Sequence, residues 1–179
     1  MNAFARVNPR FSAWLMGLGF LVSIVPANAQ SQSVPDVRTY SELDVTHGDR
    51  VYFSLARGEI ADSTSWDVYF EGTTIGVNGG ARVIDQAFER IDEAPEGGYR
   101  METADRPAVP TDEQMRWFDY DMTTHVVTPV PMRTIVVNMK DGSFAKVEIL
   151  DYYSVEGEPR YYSFRYAYQS DGSRVLGAD

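Results

Sequence analysis

Thr134-Ile-Val-Val-Asn-Met-Lys-Asp-Gly-Ser-Phe-Ala-Lys-Val-Glu-Ile-Leu150 is two alternating arms joined by an Asp-Gly turn. In the first arm Ile135, Val137 and Met139 alternate with Thr134, Val136 and Asn138; in the second, Ala145, Val147 and Ile149 alternate with Lys146 and Glu148. A period of two is the signature of a strand with one buried face. Loop length then decides the register. A two-residue Asp141-Gly142 loop would pair Lys140 with Ser143, set Val137 across from Lys146, and leave the two apolar faces on opposite sides of the sheet. A three-residue loop, Lys140-Asp141-Gly142, closed by a left-handed bulge at Gly142, sets Val137 across from Ala145, Ile135 across from Val147 and Thr134 across from Glu148. The bulged loop is therefore expected.

Working outward from the hairpin, further short runs share its character. Val51–Leu55 is β-branched and aromatic and stops at Arg57-Gly58; Trp66–Phe70 follows, with Trp66, Val68 and Phe70 expected on one face; Thr73–Val77 is closed by Asn78-Gly79-Gly80, expected to be a turn. Tyr161–Tyr168 places Tyr162, Phe164, Tyr166 and Tyr168 on one face, after a connection at Tyr152–Pro159, and Asp171-Gly172 turns the chain into a weak tail. Val83, Ile84, Ala87, Phe88 and Ile91 fit a helical stripe and predict one short helix. Residues 94–114, with three prolines and two glycines, predict a long loop. Short strands separated by turn signals predict an all-β domain, an antiparallel sheet or sandwich with little helix.

The two ends differ in kind. Arg6 and Arg10 precede an apolar run from Phe11 to Val25 that ends near Ala27-Asn28-Ala29, so residues 1–29 read as a cleaved signal peptide. The run falls short of a spanning helix and is interrupted by Ser12, Ser23 and Pro26, which predicts no stable membrane insertion after cleavage. Residues 30–49 are polar and read as a linker or loosely held arm, with order starting near Arg50 and one domain over 50–179. Cleavage removes two arginines and no acid, taking the formal charge from −10 to −12. An acidic chain argues against nucleic acid and anionic membranes as partners. The chain has no cysteine, which leaves no disulfide, thiolate or lipid-modified cysteine. The expectation is an exported protein, periplasmic or secreted, that is not lipid-anchored.

Few residues could carry chemistry. There is no G-x-S-x-G, no H-E-x-x-H and no P-loop, and two histidines cannot build a three-histidine metal site, so an enzyme is not expected. Asp119 and Asp121 could reach one side of an extended chain, as a cation pair or as a solvated face. His47 lies in a polar turn. His125 sits in Met122-Thr-Thr-His-Val-Val-Thr-Pro-Val-Pro-Met132, which reads as a semi-rigid extended segment bounded by Pro129 and Pro131, and is either a satisfied structural histidine or a ligand. Imidazole and thioether are the axial donors used for haem iron, which makes His125, Met122, Met132 and Met101 the candidate set.

Tyr52-Phe-Ser-Leu55 with Gly58-Glu59, Ser65–Phe70, Val77–Gly80, Trp117-Phe-Asp-Tyr120 with Thr124–Pro129, Arg133–Val137, Ala145–Leu150, Tyr152-Tyr153 and Phe164–Tyr168 together resemble the HmuY family of bacterial haem-binding proteins. The likeness runs from about residue 50 to the end and lies in the order and spacing of the pieces. It implies a non-enzymatic all-β carrier that holds one haem between two axial side chains and passes it to an outer-membrane uptake receptor. The family's best-known members are surface lipoproteins with two histidine ligands, and relatives use methionines. Here the matching region holds one histidine, which leaves His plus Met, Met plus Met, or a haem-free structural or protein-interaction domain of the same fold. An aromatic-rich domain for another hydrophobic or carbohydrate ligand is a third option.

Overall fold

In the computed structural model, Met1 and residues 34–177 are described; the expected signal peptide and its cleavage site lie outside them. Twelve strands occur among these residues. They are β1 (Val37–Asp44), β2 (Val51–Ser54), β3 (Glu59–Ala61), β4 (Val68–Glu71), β5 (Thr74–Val77), β6 (Gly79–Asp85), β7 (Arg100–Met101), β8 (Phe118–Tyr120), β9 (Val127–Pro129), β10 (Arg133–Met139), β11 (Phe144–Tyr153) and β12 (Pro159–Gln169). A six-stranded sheet has the order β1-β12-β11-β10-β6-β7, a four-stranded sheet the order β3-β2-β4-β5, and β8 and β9 form a separate ribbon. All the pairings are antiparallel.

The central hairpin has the bulged register. Val137 faces Ala145 and Ile135 faces Val147. Gly142 takes φ 88° and donates its N–H to Met139 O at 3.0 Å, closing the three-residue loop. The register directs Ile135, Val137, Ala145, Val147 and Ile149 at the small sheet, where Phe53, Val68, Phe70 and Val77 meet them. Aromatic rings join the layers: Phe70 lies 4.8 Å from Tyr162 and 5.1 Å from Phe164, and Phe53 lies 5.2 Å from Phe164, centroid to centroid. Such contacts add to the area they bury through ring quadrupoles.

The outer face of the large sheet is covered too. Val136 is fully buried against Ile91, Ala94 and Leu176. Lys146, also outward and only 3 % exposed, donates from Nζ to Phe88 O at 3.0 Å and to Ile91 O at 2.9 Å, with the Phe88 ring 4.4 Å away. A charge that far from water is tolerable because two of its three donors are used and an aromatic face lies beside it, and burial pulls its pKa below the ordinary lysine value.

Five expectations change. Residues 37–44 are no loose arm: β1 pairs with β12 along the edge of the large sheet, with Leu43 in the core and Tyr40 packed on Phe53 and Phe164. The segment Val83–Ile91 is not a helix. Its first part belongs to β6, zipped to β10 from Gly79↔Met139 to Asp85↔Arg133, and only Phe88–Arg90 makes a single 3-10 turn. Asn78-Gly79-Gly80 is a crossing between sheets, in which a Cβ on Gly79 would stand 2.2 Å from Asn138 O, so glycine is required by the approach of β10. Trp66 turns away from Val68 and Phe70 and packs on Tyr52 and Tyr69, 5.2 and 5.7 Å off. The tail beyond Gly172 is held as well: Leu176 is buried and its N–H donates to Asp92 O at 2.8 Å.

Candidate functional site: the β8–β9 ribbon

The ribbon has a fixed base and an exposed tip. At the base, Trp117 is buried on Tyr152 and Tyr162 and donates its indole N–H to Thr73 O at 2.8 Å. Arg133 donates to Arg116 O at 2.6 Å and to Asp85 at 2.7 Å. The Tyr153 hydroxyl accepts the Val127 N–H at 2.9 Å, which ties β9 to the end of β11. Phe118 pairs with Pro129 and Tyr120 with Val127, and the chain reverses over residues 121–126.

That reversal is built by Asp121. Its Oδ1 accepts the N–H groups of Thr123 at 2.7 Å and Thr124 at 3.0 Å, an Asx-type turn. The backbone donors of Thr124 and Thr123 hold the Asp121 carboxyl below the usual aspartate pKa. Asp121 N–H donates to Val126 O at 2.9 Å and His125 N–H to Asp121 O at 2.8 Å. His125 therefore takes φ 60°, a left-handed conformation disfavoured by roughly 1–2 kcal/mol for most side chains but entered more readily by histidine. The expected extended histidine is instead at the head of a turn. Its Nδ1 stands 2.6 Å from the Tyr120 hydroxyl. Asp121 is thus spent on the turn, and among the described residues no acid and histidine group could hold a metal ion.

The four candidate donors do not converge. His125 and Met122 share the tip turn, and Met122 is 76 % exposed. Met132, also left-handed at φ 57°, lies past the opposite end of β9. Met101 is on β7 at the far edge of the large sheet, against Gly80. His47 is exposed beside Thr46 and Asp44 on the loop after β1. Beneath the tip is a cavity of about 290 Å³ lined by Thr73, Arg116, Phe118, Tyr120 and Val127. The Arg116 guanidinium lies 5.0 Å from the centre of the Phe118 ring.

This donor chemistry fits haem iron on one side. His125 offers a ring nitrogen, Nε2, away from its tyrosine partner, Met122 offers a thioether on the same turn, Phe118 and Val127 give apolar wall, and Arg116 gives a cation suited to a carboxylate. The contact of Tyr120 with His125 is not foreseen from the alternation of the sequence. The signal that could have found it is Asp121 followed by Thr123 and Thr124, which marks a turn and so brings residue 125 back toward residue 120.

No family model and no curated protein matches the chain. Solved structures do. A candidate HmuY-like haem-binding protein from Bacteroides vulgatus superposes with a TM-score of 0.56 at 19% identity, over 75% of this chain and 93% of that one. Apo PinO from Porphyromonas gingivitis gives 0.57 at 14% identity, over 75% and 98%. The apo HmuY analog of Tannerella forsythia gives 0.53 at 16% identity, over 77% and 99%. Nearly whole neighbours thus share the two-layered antiparallel architecture found here, and the chain has an HmuY-like fold.

Proposed function

We propose that this protein is an exported, non-enzymatic haem-binding protein that carries haem at the β8–β9 ribbon and hands it to an outer-membrane uptake receptor. His125 is its iron ligand, and Met122, on the same turn, is the alternative donor to the same face of the haem. The observation that carries the reading is the left-handed turn that holds the exposed His125 imidazole against Tyr120 at the tip of a ribbon whose base is tied into the core. Anchoring the base limits the entropy lost when a ligand orders the tip. The fold likeness to proteins described as haem-binding or as HmuY analogs supports the same reading. Fold alone does not transfer function, so the weight falls on the site.

Bound haem would supply the iron as Lewis acid. The chain's own part is to present Nε2, to wall the ring with Phe118 and Val127, and to offer Arg116 to a propionate. Titration of the protein from Gln30 onward with ferric haem should give a shifted, saturable Soret band at one haem per chain. A band that grows without saturating, as free haem does, would leave the haem-free interaction domain as the better reading.

A further inference from the structure

The short contact between Tyr120 and His125 is a product of the turn. Tyr120 is the last residue of β8, in register with Val127, and the left-handed backbone at His125 swings the imidazole back across the ribbon. The hydroxyl reaches Nδ1 at 2.6 Å with ring centroids 5.9 Å apart. Both ends of the contact ride on fixed backbone, through the Asp121 turn on one side and the Tyr153 bond to Val127 on the other.

An imidazole has two nitrogens, and Tyr120 occupies one. A phenol can donate to Nδ1 or accept from Nδ1–H, and in either direction it closes that nitrogen to iron. Nε2 is left as the accessible donor. With Nε2 taken up as a ligand, Nδ1 would carry the proton and would donate it to Tyr120 Oη. Tyr120 is 36 % exposed, so its own O–H can turn to water and no donor is stranded. A ligating histidine that donates its second N–H to an oxygen is a more basic ligand, which favours the more highly charged iron.

We propose that Tyr120 is the positioning residue of this site: it selects Nε2 of His125 as the ligating nitrogen and biases the site toward ferric over ferrous haem. Resting on the assignment of His125 as ligand, this adds the atom used and the iron state preferred. A tyrosine that merely braced the ribbon would affect stability and neither of these.

The test compares wild type, Tyr120→Phe and His125→Ala. In the haem-free proteins, the imidazole ¹⁵N shifts of His125 are read by NMR; ferric and ferrous haem are then titrated separately. Tyr120→Phe should move the His125 ring nitrogens to the values of a free histidine. It should weaken ferric haem about tenfold, at the lower end for outer-shell partners, and ferrous haem less. Unchanged nitrogen shifts, or equal losses for the two iron states, overturn the role of Tyr120 while a His125→Ala defect leaves the ligand in place. A His125→Ala protein that keeps haem affinity and spectrum, or a wild type that binds no haem, overturns the ligand assignment and the role of Tyr120 with it.

Discussion

Gly142 shows how one residue fixes a register. Its φ of 88° is open to glycine and strained for other residues, while no neighbouring atom lies within 4 Å of a built Cβ. A substitution there tests backbone strain alone. Gly142→Ala is expected to cost on the order of 1 kcal/mol in chemical denaturation, because alanine is driven out of the left-handed region that the bulge requires. Equal midpoints for mutant and wild type would mean that the loop relaxes to another geometry. His125 occupies the same region of backbone space without being glycine. Its β-branched context, Thr-Thr-His-Val-Val with Pro129 and Pro131 beyond, suggests an extended segment, and the positive φ arises from hydrogen bonds to Asp121 that β propensity does not encode.

At the scale of elements, β1 carries the plainest stability consequence. Leu43 is 1 % exposed and belongs to the main core, so Leu43→Ala should cost about 2–4 kcal/mol by loss of transfer energy and the cavity left behind. A loosely held arm would give a change within about 0.5 kcal/mol, and the denaturation midpoint separates the two outcomes. Why β1 is hard to read in the sequence follows from its pairing. Tyr40 faces Phe164 and Leu43 faces Tyr162, three residues against two, with Glu42 at φ 57° inside the irregularity. The bulge breaks the period of two, and Tyr40 and Leu43 no longer look like neighbours on one face. The false helix at Val83–Ile91 has a complementary cause. Val83 packs in the main core and Ile84 on the outer cluster, since β6 has apolar contacts on both faces, and the two faces together mimic helical spacing. By contrast, β12 alternates cleanly because Tyr162, Phe164 and Tyr166 all point at the small sheet.

Across the whole molecule, tyrosine hydroxyls are withdrawn from water both between the layers, at Tyr162, and on the outer faces, at Tyr69 and Tyr99, and this sets the response to alkali. Burial pushes the Tyr69 hydroxyl up to about 12, with the Glu102 carboxylate adding to the shift, and burial pushes Tyr99 up to about 12. Tyr162 is raised by burial as well. An acid whose pKa is higher folded than unfolded keeps its proton longer in the native state. The stability it contributes is complete below the unfolded value near 10 and is lost as pH rises from there through about 12. Tyrosinate absorbance should therefore show the exposed tyrosines ionising first, with the remainder appearing together with loss of the near-ultraviolet circular dichroism. A single smooth titration near 10 in a protein that stays folded would contradict the burial of these hydroxyls.

The same architecture explains what a sequence can reveal of the site. His125 stands out by rarity, and the thioethers by chemistry, but their placement depends on β8 and β9 forming a ribbon separate from both sheets, so Met132 and Met101 end up away from the tip. The central claim is that the imidazole at that tip takes haem iron, and its most direct test is a ferric haem titration of His125→Ala beside His47→Ala. The account predicts that His125→Ala weakens binding at least tenfold, about 1.4 kcal/mol, and moves the absorption bands, while His47→Ala does neither. A His125→Ala protein with an unchanged haem spectrum and a lowered melting temperature, or a spectrum that responds instead to Met122→Ala or Met132→Ala, would contradict it.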